Sequence, residues 1–307
     1  MIGNRNYKVP KGRVLVMRTC TEYGFSYANF SWPESGPVSC TDWKPEAVCG
    51  HGLHGALWGE GNGDLFNWDS NARWQIVEVH KDLIVDLRGK VKYPKGNVVA
   101  TGNQIEITEW LAVRAPDAAI IGRNVIEGGN NTVAVGDRGK AFVGDHGHAT
   151  AGNDAVAIAG DGGIAVAGRY GLAKVGNGGR ATTGSDGTSM SGRNGISRAG
   201  YLGTATAGPH GFAVAGEGGT ATVGSFGKAR VGERGFAIAG YKGTVKGGVG
   251  SELSVRWPDD GKLRQSISYV GQNGIEPNVE YRCNDVGRLV MFWDMSDNFP
   301  PGTSTPS

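Results

Sequence analysis

Residues 131–250 repeat with a period of eight, and this repeat constrains the fold more than any other feature of the chain. Fifteen consecutive units keep one register, with Gly at the sixth place and nearly always at the first. A small residue, usually Ala or Val, occupies the third and fifth places, as at Ala213 and Ala215. An even period with alternating character is typical of strands, because successive side chains of an extended chain point to opposite faces. We therefore predict one short strand per unit, with the third and fifth side chains pointing inward.

The glycines predict a tight turn after each strand. Two residues, such as Asp145-His146 or Pro209-His210, separate the glycines at places six and one. Glycine adopts the positive φ of tight turns at little steric cost, so we assign these glycines to positive φ. Strand, turn and stacking of neighbouring units together predict a β-solenoid, a fold built from contacts between adjacent repeats.

Two features of the repeat disagree on how many units close one coil. An interior of Ala and a few Val fills a flat coil of two opposed strands but would leave voids in a wider triangular coil, against the close packing of protein interiors. Outward apolar residues recur in every third unit instead, and they would form one continuous face only with three units per coil. We favour two units, because core volume is the harder constraint. The outward apolar residues are the predicted interaction face: Phe142, Ile164, Val166, Met190, Phe212, Val214, Phe236 and Ile238.

Composition and charge exclude several other classes of protein. The 54 Gly lie mostly in register and lack the three-residue spacing of collagen. A formal net charge of +2 gives no electrostatic argument for binding nucleic acid or a membrane surface. The N-terminal segment lacks the apolar core of a signal peptide, no stretch reaches the roughly 18 apolar residues of a membrane span, and the Cys do not form a disulfide framework. We therefore expect a cytoplasmic location, in the host cytoplasm or in the virion if a phage encodes the chain.

Residues 1–120 differ from the repeats because they contain most of the bulky side chains. Six of the eight Trp lie here, beside most of the apolar residues other than Gly, which predicts an independent globular core. A long irregular stretch follows the first predicted strand. Alternation and apolar runs predict strands at Val14–Met17, Trp74–Val79, Leu83–Leu87 and Asn97–Ala100, and a short helix at Thr108–Ala115.

A small β cap is predicted after the repeats, since the last rung of a bare solenoid is an open sheet edge. Its strands are Ser251–Trp257 and Ser266–Val270, around a turn at Pro258–Gly261, and a further pair at Val279–Cys283 and Arg288–Trp293. The predicted fold is therefore mainly β. It comprises an α+β globular domain (1–120), a Gly- and Ala-rich octapeptide β-solenoid (121–250), a C-terminal β cap (251–296) and a disordered tail (297–307).

The octapeptides, especially AGYLGTATAGPH and AGYKGTVK, resemble the Ala-Gly-Tyr-x-x-Thr-x-Thr repeats of bacterial ice nucleation proteins. The whole chain, with its CGHGLHGALWGEG, RWQIVEV, GKVKYPKGNVV and SYVGQNGIEPNVEYR segments, resembles a family of bacteria and their phages in which a Trp-rich domain precedes GTATAG octapeptides. This resemblance implies the same architecture and no settled activity. Ice-binding solenoids order water on Thr-x-Thr pairs, which among the repeat units occur only at Thr204/Thr206 and Thr220/Thr222, so no extended ice-binding array is expected.

The first domain contains residue types that bind metals. Thiolates and imidazoles are the usual zinc ligands, and five of them fall within a short stretch: Cys20, Cys40, Cys49, His51 and His54. There is no C-x-x-C pair, however, and the spacing is not that of a zinc finger. We interpret these residues as small buried thiols and a turn at 50–52, and we expect no cofactor. Calcium is not expected at the Asp-containing turns, because calcium β-rolls repeat every nine residues.

The order of elements in the first domain also resembles the core of ADP-ribosyltransferases. The shared features are a strand ending in Arg18, a Gly-Leu-His-Gly segment, the RWQIVEV strand and the GKVKYPKGNVVATG segment. In that family an Arg or His on the first strand holds NAD, and a Glu before a later strand polarises the ribose. Here Lys90-Val91-Lys92 stands where that Glu is expected, and its positive charge would repel a ribosyl cation. The resemblance implies a degenerate nucleotide-binding fold with Arg18, His51 and His54 at the ligand.

These observations predict a non-catalytic interaction protein of phage or bacterial origin. The rigid solenoid would serve for assembly or partner docking, and the N-terminal domain for recognition. The expected partner is another protein or a second copy of the chain, with no nucleic acid and no membrane. The alternative is a nucleotide- or NAD-binding domain carried on the same solenoid.

Overall fold

A computed structural model describes residues 2–292 of the chain. Contacts divide the chain into two compact units, Met1–Thr188 and Ser189–Ser307, so the division falls within the repeats. The domain boundaries expected near residues 120 and 250 remain predictions. The expected tail at 297–307 and the last residues of the expected cap, 293–296, lie outside the described residues.

The first unit begins with an antiparallel sheet of seven strands. The strands are β1 (Arg13–Cys20), β2 (Gly36–Ser39), β3 (Leu53–Leu57), β4 (Arg73–His80), β5 (Val85–Asp86), β6 (Val91–Tyr93) and β7 (Lys95–Gly102). Their order is β2-β7-β4-β1-β3-β6-β5. The alternation of β4 predicts a half-buried strand, but this strand is buried on both faces, because Ile76 packs into one core cluster and Val77 into another.

One face of this sheet is covered by the helix α1 (Gln104–Ala112). Asn103 accepts a hydrogen bond from the Glu106 backbone N–H, and the Glu106 carboxylate accepts one from the Asn103 N–H. This reciprocal cap satisfies N–H groups that have no partner in the first turn of a helix. The predicted start at Thr108 is therefore wrong, since the helix begins one turn earlier at the cap.

The other face is covered by the stretch predicted to be irregular. Trp32 from this stretch packs into the core cluster on that face. Two strands of the sheet, β2 with Val38 and β3 with Leu53, also lie within the stretch. This stretch runs from Ser31 to Asp64. One 3₁₀ turn, Tyr27–Asn29, precedes it, and another, Gly63–Leu65, lies at its end. The strand predicted at Leu83–Leu87 is mostly wrong: a further 3₁₀ turn occupies Lys81–Leu83, and only Val85–Asp86 is extended.

Repeat strands follow in the first unit. They are β8 (Asn124–Glu127), β9 (Thr132–Ala134), β10 (Lys140–Val143), β11 (His148–Thr150), β12 (Val156–Ala159), β13 (Ile164–Ala167), β14 (Leu172–Val175) and β15 (Arg180–Thr183); the division between the units falls within β16 (Thr188–Ser191). Alternate strands pair in parallel, so β10 pairs with β12 and β11 with β13. Lys140 pairs with Val156, two octapeptides later. Two units per coil are thereby confirmed.

The second unit repeats this pairing and ends in the predicted cap. Its strands are β17 (Ile196–Ala199), β18 (Thr204–Ala207), β19 (Phe212–Ala215), β20 (Thr220–Val223), β21 (Lys228–Val231), β22 (Phe236–Ala239), β23 (Thr244–Lys246), β24 (Glu252–Asp259), β25 (Lys262–Tyr269), β26 (Tyr281–Cys283) and β27 (Leu289–Met291). β24 pairs in parallel with β22 and antiparallel with β25, so one strand is both the last rung and the first strand of the cap. β26 and β27 form an antiparallel pair next to β23. The predicted β-solenoid with a small C-terminal β region is confirmed.

The turns differ from the prediction in where the positive φ falls. Ala213 and Ala215 point inward and are buried, as predicted. In the turn before them, however, His210 has φ of 57°, and the flanking Gly211 does not have positive φ. A Cβ on Gly211 would lie 2.7 Å from the Ala207 Cβ and 3.0 Å from the Gly195 carbonyl oxygen. Gly211 is therefore required by crowding from the strand before its own turn, at Ala207, and from the preceding coil, at Gly195.

Candidate functional site

A cleft of about 1170 Å³ opens beside the central strand of the first unit. Its walls come from the end of β1, from the segments around residues 25–32 and 49–56, and from the turn before β6. Arg18, His51 and His54, the ligand residues predicted from the sequence, all line this cleft. The fold thus brings together residues from β1 and from the loop and strand that include β3.

Arg18 is the most deeply buried charge of the cleft, with 6% of its surface exposed. Its guanidinium carbon lies 3.4 Å from the centre of the Trp32 ring, and its two terminal nitrogens donate to Gln75 Oε1 (3.3 Å) and to the Thr19 carbonyl (2.6 Å). Within residues 2–292, no carboxylate forms an ion pair with Arg18, and its buried Nε has no hydrogen-bond partner. Burial lowers the pKa of Arg18 to about 10, so the side chain stays charged at neutral pH.

The two histidines occupy different parts of the cleft. His54 lies on β3 opposite Lys92 of β6, and its buried Nε2 has no partner among the described residues. Burial lowers the pKa of His54, and the charges of Lys90 and Lys92 lower it further. His51 is half exposed at the rim, with Nδ1 3.5 Å from Asp42 Oδ2. The inner histidine therefore favours its neutral form.

Two lysines hold the loop that carries Cys49 and His51. Lys92 is almost fully buried, and its ammonium donates to the carbonyls of Val48 (2.9 Å) and Gly50 (3.4 Å). The Lys90 ammonium lies 2.9 Å from Cys49 Sγ. The sequence analysis mentioned these lysines only because they stand where the Glu of an ADP-ribosyltransferase would be expected. A Lys between Val91 and Tyr93, inside an apolar strand, was the signal for a buried, hydrogen-bonded cation.

The three thiols that were considered as zinc ligands, and not expected to bind zinc, also line the cleft but contact different partners. Cys20 contacts Gln75 Oε1 at 3.7 Å, and Cys40 contacts the Pro94 carbonyl at 3.3 Å. Burial raises the pKa of both thiols, whereas the hydrogen bond from Lys90 lowers that of Cys49. Over the described residues, no group of three or more His, Cys, Asp or Glu side chains is arranged to hold a metal ion. The expectation that the chain binds no cofactor stays a prediction.

The predicted interaction face is not one face in either unit. In the first unit Phe142 lies on β10, and Ile164 and Val166 lie on β13 of the opposite sheet. In the second unit Met190 lies on β16, Phe212 and Val214 on β19, and Phe236 and Ile238 on β22, which pairs with β20 and not with β19. With two repeats per coil, a feature that recurs in every third repeat alternates between the sheets.

The Thr-x-Thr pairs form a patch two strands wide. Thr204 lies opposite Thr220, and Thr206 opposite Thr222, on β18 and β20. On the next strand, β22, Phe236 and Ile238 occupy the same outward positions. The small extent of the threonine patch agrees with the sequence prediction.

Comparisons with known proteins find similarity in two parts. Residues 14–111 match a family described as Domain of unknown function (DUF7666). The chain is 34% identical over 106 residues to an ice nucleation protein of Xanthomonas campestris pv. translucens, 31% over 101 residues to InaU of Pantoea ananas, and 33% over 109 residues to an ice nucleation protein of Pseudomonas syringae. These matches cover 34%, 32% and 35% of this chain but only 7%, 10% and 9% of the relatives. No solved structure matches the chain.

The suspected resemblance to ice nucleation proteins and to a family without an assigned activity is confirmed by these matches. The expected cytoplasmic location is contradicted, because ice nucleation proteins are surface proteins anchored in the outer membrane. The net charge and the composition of the first residues were too weak a basis for assigning a location. None of the helices between residues 2 and 292 has the length and apolar character needed to cross a bilayer.

Proposed function

We propose that this chain is a structural protein of bacterial or phage origin that uses its repeats as a rigid support for assembly or partner docking. Similarity to ice nucleation proteins and the β-solenoid itself fit a non-catalytic structural role. The N-terminal domain would carry out recognition. The similar proteins come from bacteria, which supports the proposed origin.

The observation that carries this proposal is the ladder of backbone hydrogen bonds in the repeats. In the second unit, the Phe212 N–H donates to the Gly195 carbonyl (2.9 Å), and the Lys228 N–H donates to the Gly211 carbonyl (2.9 Å). The interior between the strands consists mainly of alanines such as Ala213 and Ala229, which have no side-chain rotamers to exchange, with a few valines such as Val223. A rung bonded on both sides around such an interior has little internal freedom, and this suits a support better than a moving part.

Outward apolar side chains provide the surface for docking or self-association. Ile164 in the first unit and Phe236 in the second point outward and are exposed. Exposed apolar side chains on a regular sheet face are typical of association sites. Because these apolar side chains lie on separate strands and do not form one continuous face, we expect the contact to involve several weak sites.

Sedimentation velocity over a range of concentrations tests the proposed assembly. We expect the unmodified full chain to form species heavier than a monomer, and Ile164→Ser with Phe236→Ser to reduce their fraction. Thr220→Ser is the matched control, since Thr220 lies opposite Phe236 on the neighbouring strand and is already polar. An unmodified chain that stays monomeric at every concentration would rule out self-association.

A second candidate function is the binding of a small ligand by the N-terminal domain. The observation that favours it is the cleft itself, which gathers Arg18, His51 and His54 around one space. Binding there is compatible with a structural role for the repeats. The two functions use separate residues and can be tested separately.

A further inference from the structure

We infer that the cleft of the N-terminal domain binds a nucleoside phosphate, with Arg18 and His54 facing its anionic group and the aromatic side chains facing its planar ring. This inference rests on the second candidate function and names the class of its ligand.

The charge of the cleft favours an anion. The cleft is lined by the cations Arg18 and Lys90 and by a single carboxylate, that of Asp42, which lies beside His51. Arg18 is buried without an ion-pair partner among the described residues. A buried charge without a counter-ion is costly, and a bound phosphate would supply the missing negative charge.

Unused hydrogen-bonding atoms lie at the same place. Nε of Arg18 and Nε2 of His54 are both buried and without a partner within residues 2–292, and both residues line the cleft. Buried polar atoms are nearly always satisfied, so two orphans beside one cavity indicate groups that a ligand completes. The Nε of Arg18 is a donor and suits a phosphate oxygen, and the Nε2 of His54 donates to one when the imidazole carries a proton on that atom.

Aromatic side chains form much of the remaining wall. Phe25, Tyr27, Phe30, Trp32 and Phe66 all line the cleft. Tyr27 and Phe25 are exposed at its mouth, while Trp32 is buried beneath Arg18. Aromatic rings stack on the π-face of any nucleobase. A volume of about 1170 Å³ also exceeds the need of a free phosphate ion and accommodates an organic molecule.

Isothermal titration calorimetry of the full chain with AMP, adenosine and inorganic phosphate tests this inference. We expect AMP to bind saturably. Adenosine and inorganic phosphate should each bind at least about tenfold more weakly than AMP, because adenosine lacks the phosphate group and phosphate lacks the planar ring. Absence of saturable AMP binding at millimolar concentration would overturn the inference. Equal affinity for phosphate and AMP would overturn the role given to the aromatic wall.

Variants separate the roles of the cations from general effects on folding. Arg18→Gln should weaken AMP binding about tenfold or more, the loss expected for one charge-assisted hydrogen bond. Since Arg18 is buried and its replacement can unfold the domain, Lys90→Gln provides a second, rim-located test with the same direction of effect. Lys95→Gln, outside the cleft lining, is the control and should bind AMP unchanged. AMP affinity unaffected by both cleft variants would contradict the inference.

Sedimentation of the same samples shows whether assembly through the repeats persists. If AMP does not bind but assembly is unchanged, only the proposed ligand site is contradicted. If assembly is lost but AMP still binds, only the proposed structural role of the repeats is contradicted.

Discussion

At the scale of single residues, the contact between Lys90 and Cys49 gives one thiol of the cleft a distinct chemistry. The hydrogen bond from Lys90 lowers the pKa of Cys49, while burial raises the pKa of Cys20 and Cys40. The thiolate is the form that reacts with alkylating reagents. Cys49 should therefore react with iodoacetamide faster than the other two thiols at pH 7, and its rate should reach half-maximum below the ordinary thiol pKa of about 8.5.

Peptide mass spectrometry after timed alkylation at several pH values measures these rates. Lys90→Met should move the Cys49 midpoint to higher pH, and Lys95→Met should leave it unchanged. If Cys49 reacts no faster than Cys40 at pH 7, the assigned effect of Lys90 is wrong.

His54 predicts a loss of stability at mildly acidic pH. Its pKa in the folded chain is lowered, first by burial and then by Lys90 and Lys92, so the native state keeps it neutral. The unfolded chain takes up this proton near the ordinary histidine pKa of about 6.5. Below that pH the unfolded state binds more protons than the native state, and the free energy of unfolding falls as the pH falls towards the folded-state pKa.

Urea unfolding at pH 7.5 and pH 5.5 measures this dependence. The difference between the two pH values should be smaller in His54→Asn than in the unmodified chain. His148→Asn removes an outward-facing histidine and should not change the difference. An identical pH dependence in the unmodified chain and His54→Asn would show that another group is responsible.

At the scale of elements, Asp137 connects the seven-stranded sheet domain to the first coils of the repeats. Its carboxylate accepts hydrogen bonds from the Gly63 N–H (2.9 Å) and from the Asn153 N–H (2.7 Å). The first donor belongs to a 3₁₀ turn of the sheet domain and the second to a repeat turn. Asp137→Ala leaves both N–H groups without this acceptor and should lower the free energy of unfolding by about 1 to 3 kcal/mol.

Asp161→Ala is the matched control for this prediction. Asp161 accepts from the Asn177 N–H (2.6 Å) in an equivalent repeat turn, and within residues 2–292 its carboxylate forms no hydrogen bond with the sheet domain. Urea unfolding should show the larger loss for Asp137→Ala. Equal losses would mean that Asp137 contributes only to the ladder of turns.

At the scale of the whole molecule, the similarity to ice nucleation proteins does not carry their named activity to this chain. Ordering water into ice requires an extended regular array of side chains, and the outward Thr-x-Thr pairs cover only two neighbouring strands before Phe236 and Ile238 replace them. Droplets containing the full chain should therefore freeze at the same temperature as droplets of a control protein at equal mass concentration. A droplet-freezing assay measures this directly.

The variant pair Thr204→Val and Thr220→Val provides the control for freezing. It should behave like the unmodified chain, because the patch is too small to organise an ice layer. Freezing at a higher temperature that is lost in this variant would show that the threonine patch is active.

The period of eight determined much of this protein without any structure. Alternation identified the inward residues such as Ala213, and the small volume of those side chains favoured two repeats per coil, as observed. These properties depend on residues that are close in sequence or repeat regularly. The same regularity led to a wrong assignment of positive φ to the glycines beside the turns. Gly211 is needed because a side chain there would be crowded by Ala207 and by Gly195 of the preceding coil.

The cleft was only partly visible in the sequence. Arg18 and His54 were proposed as ligand residues, but their burial, their open nitrogen atoms and the loop-holding role of Lys92 depend on β1, β3 and β6 lying side by side. Local periodicity determines which face of a strand is apolar. Only tertiary structure decides which distant strands become neighbours, because burial and the meeting of charges depend on contacts between residues far apart in the chain.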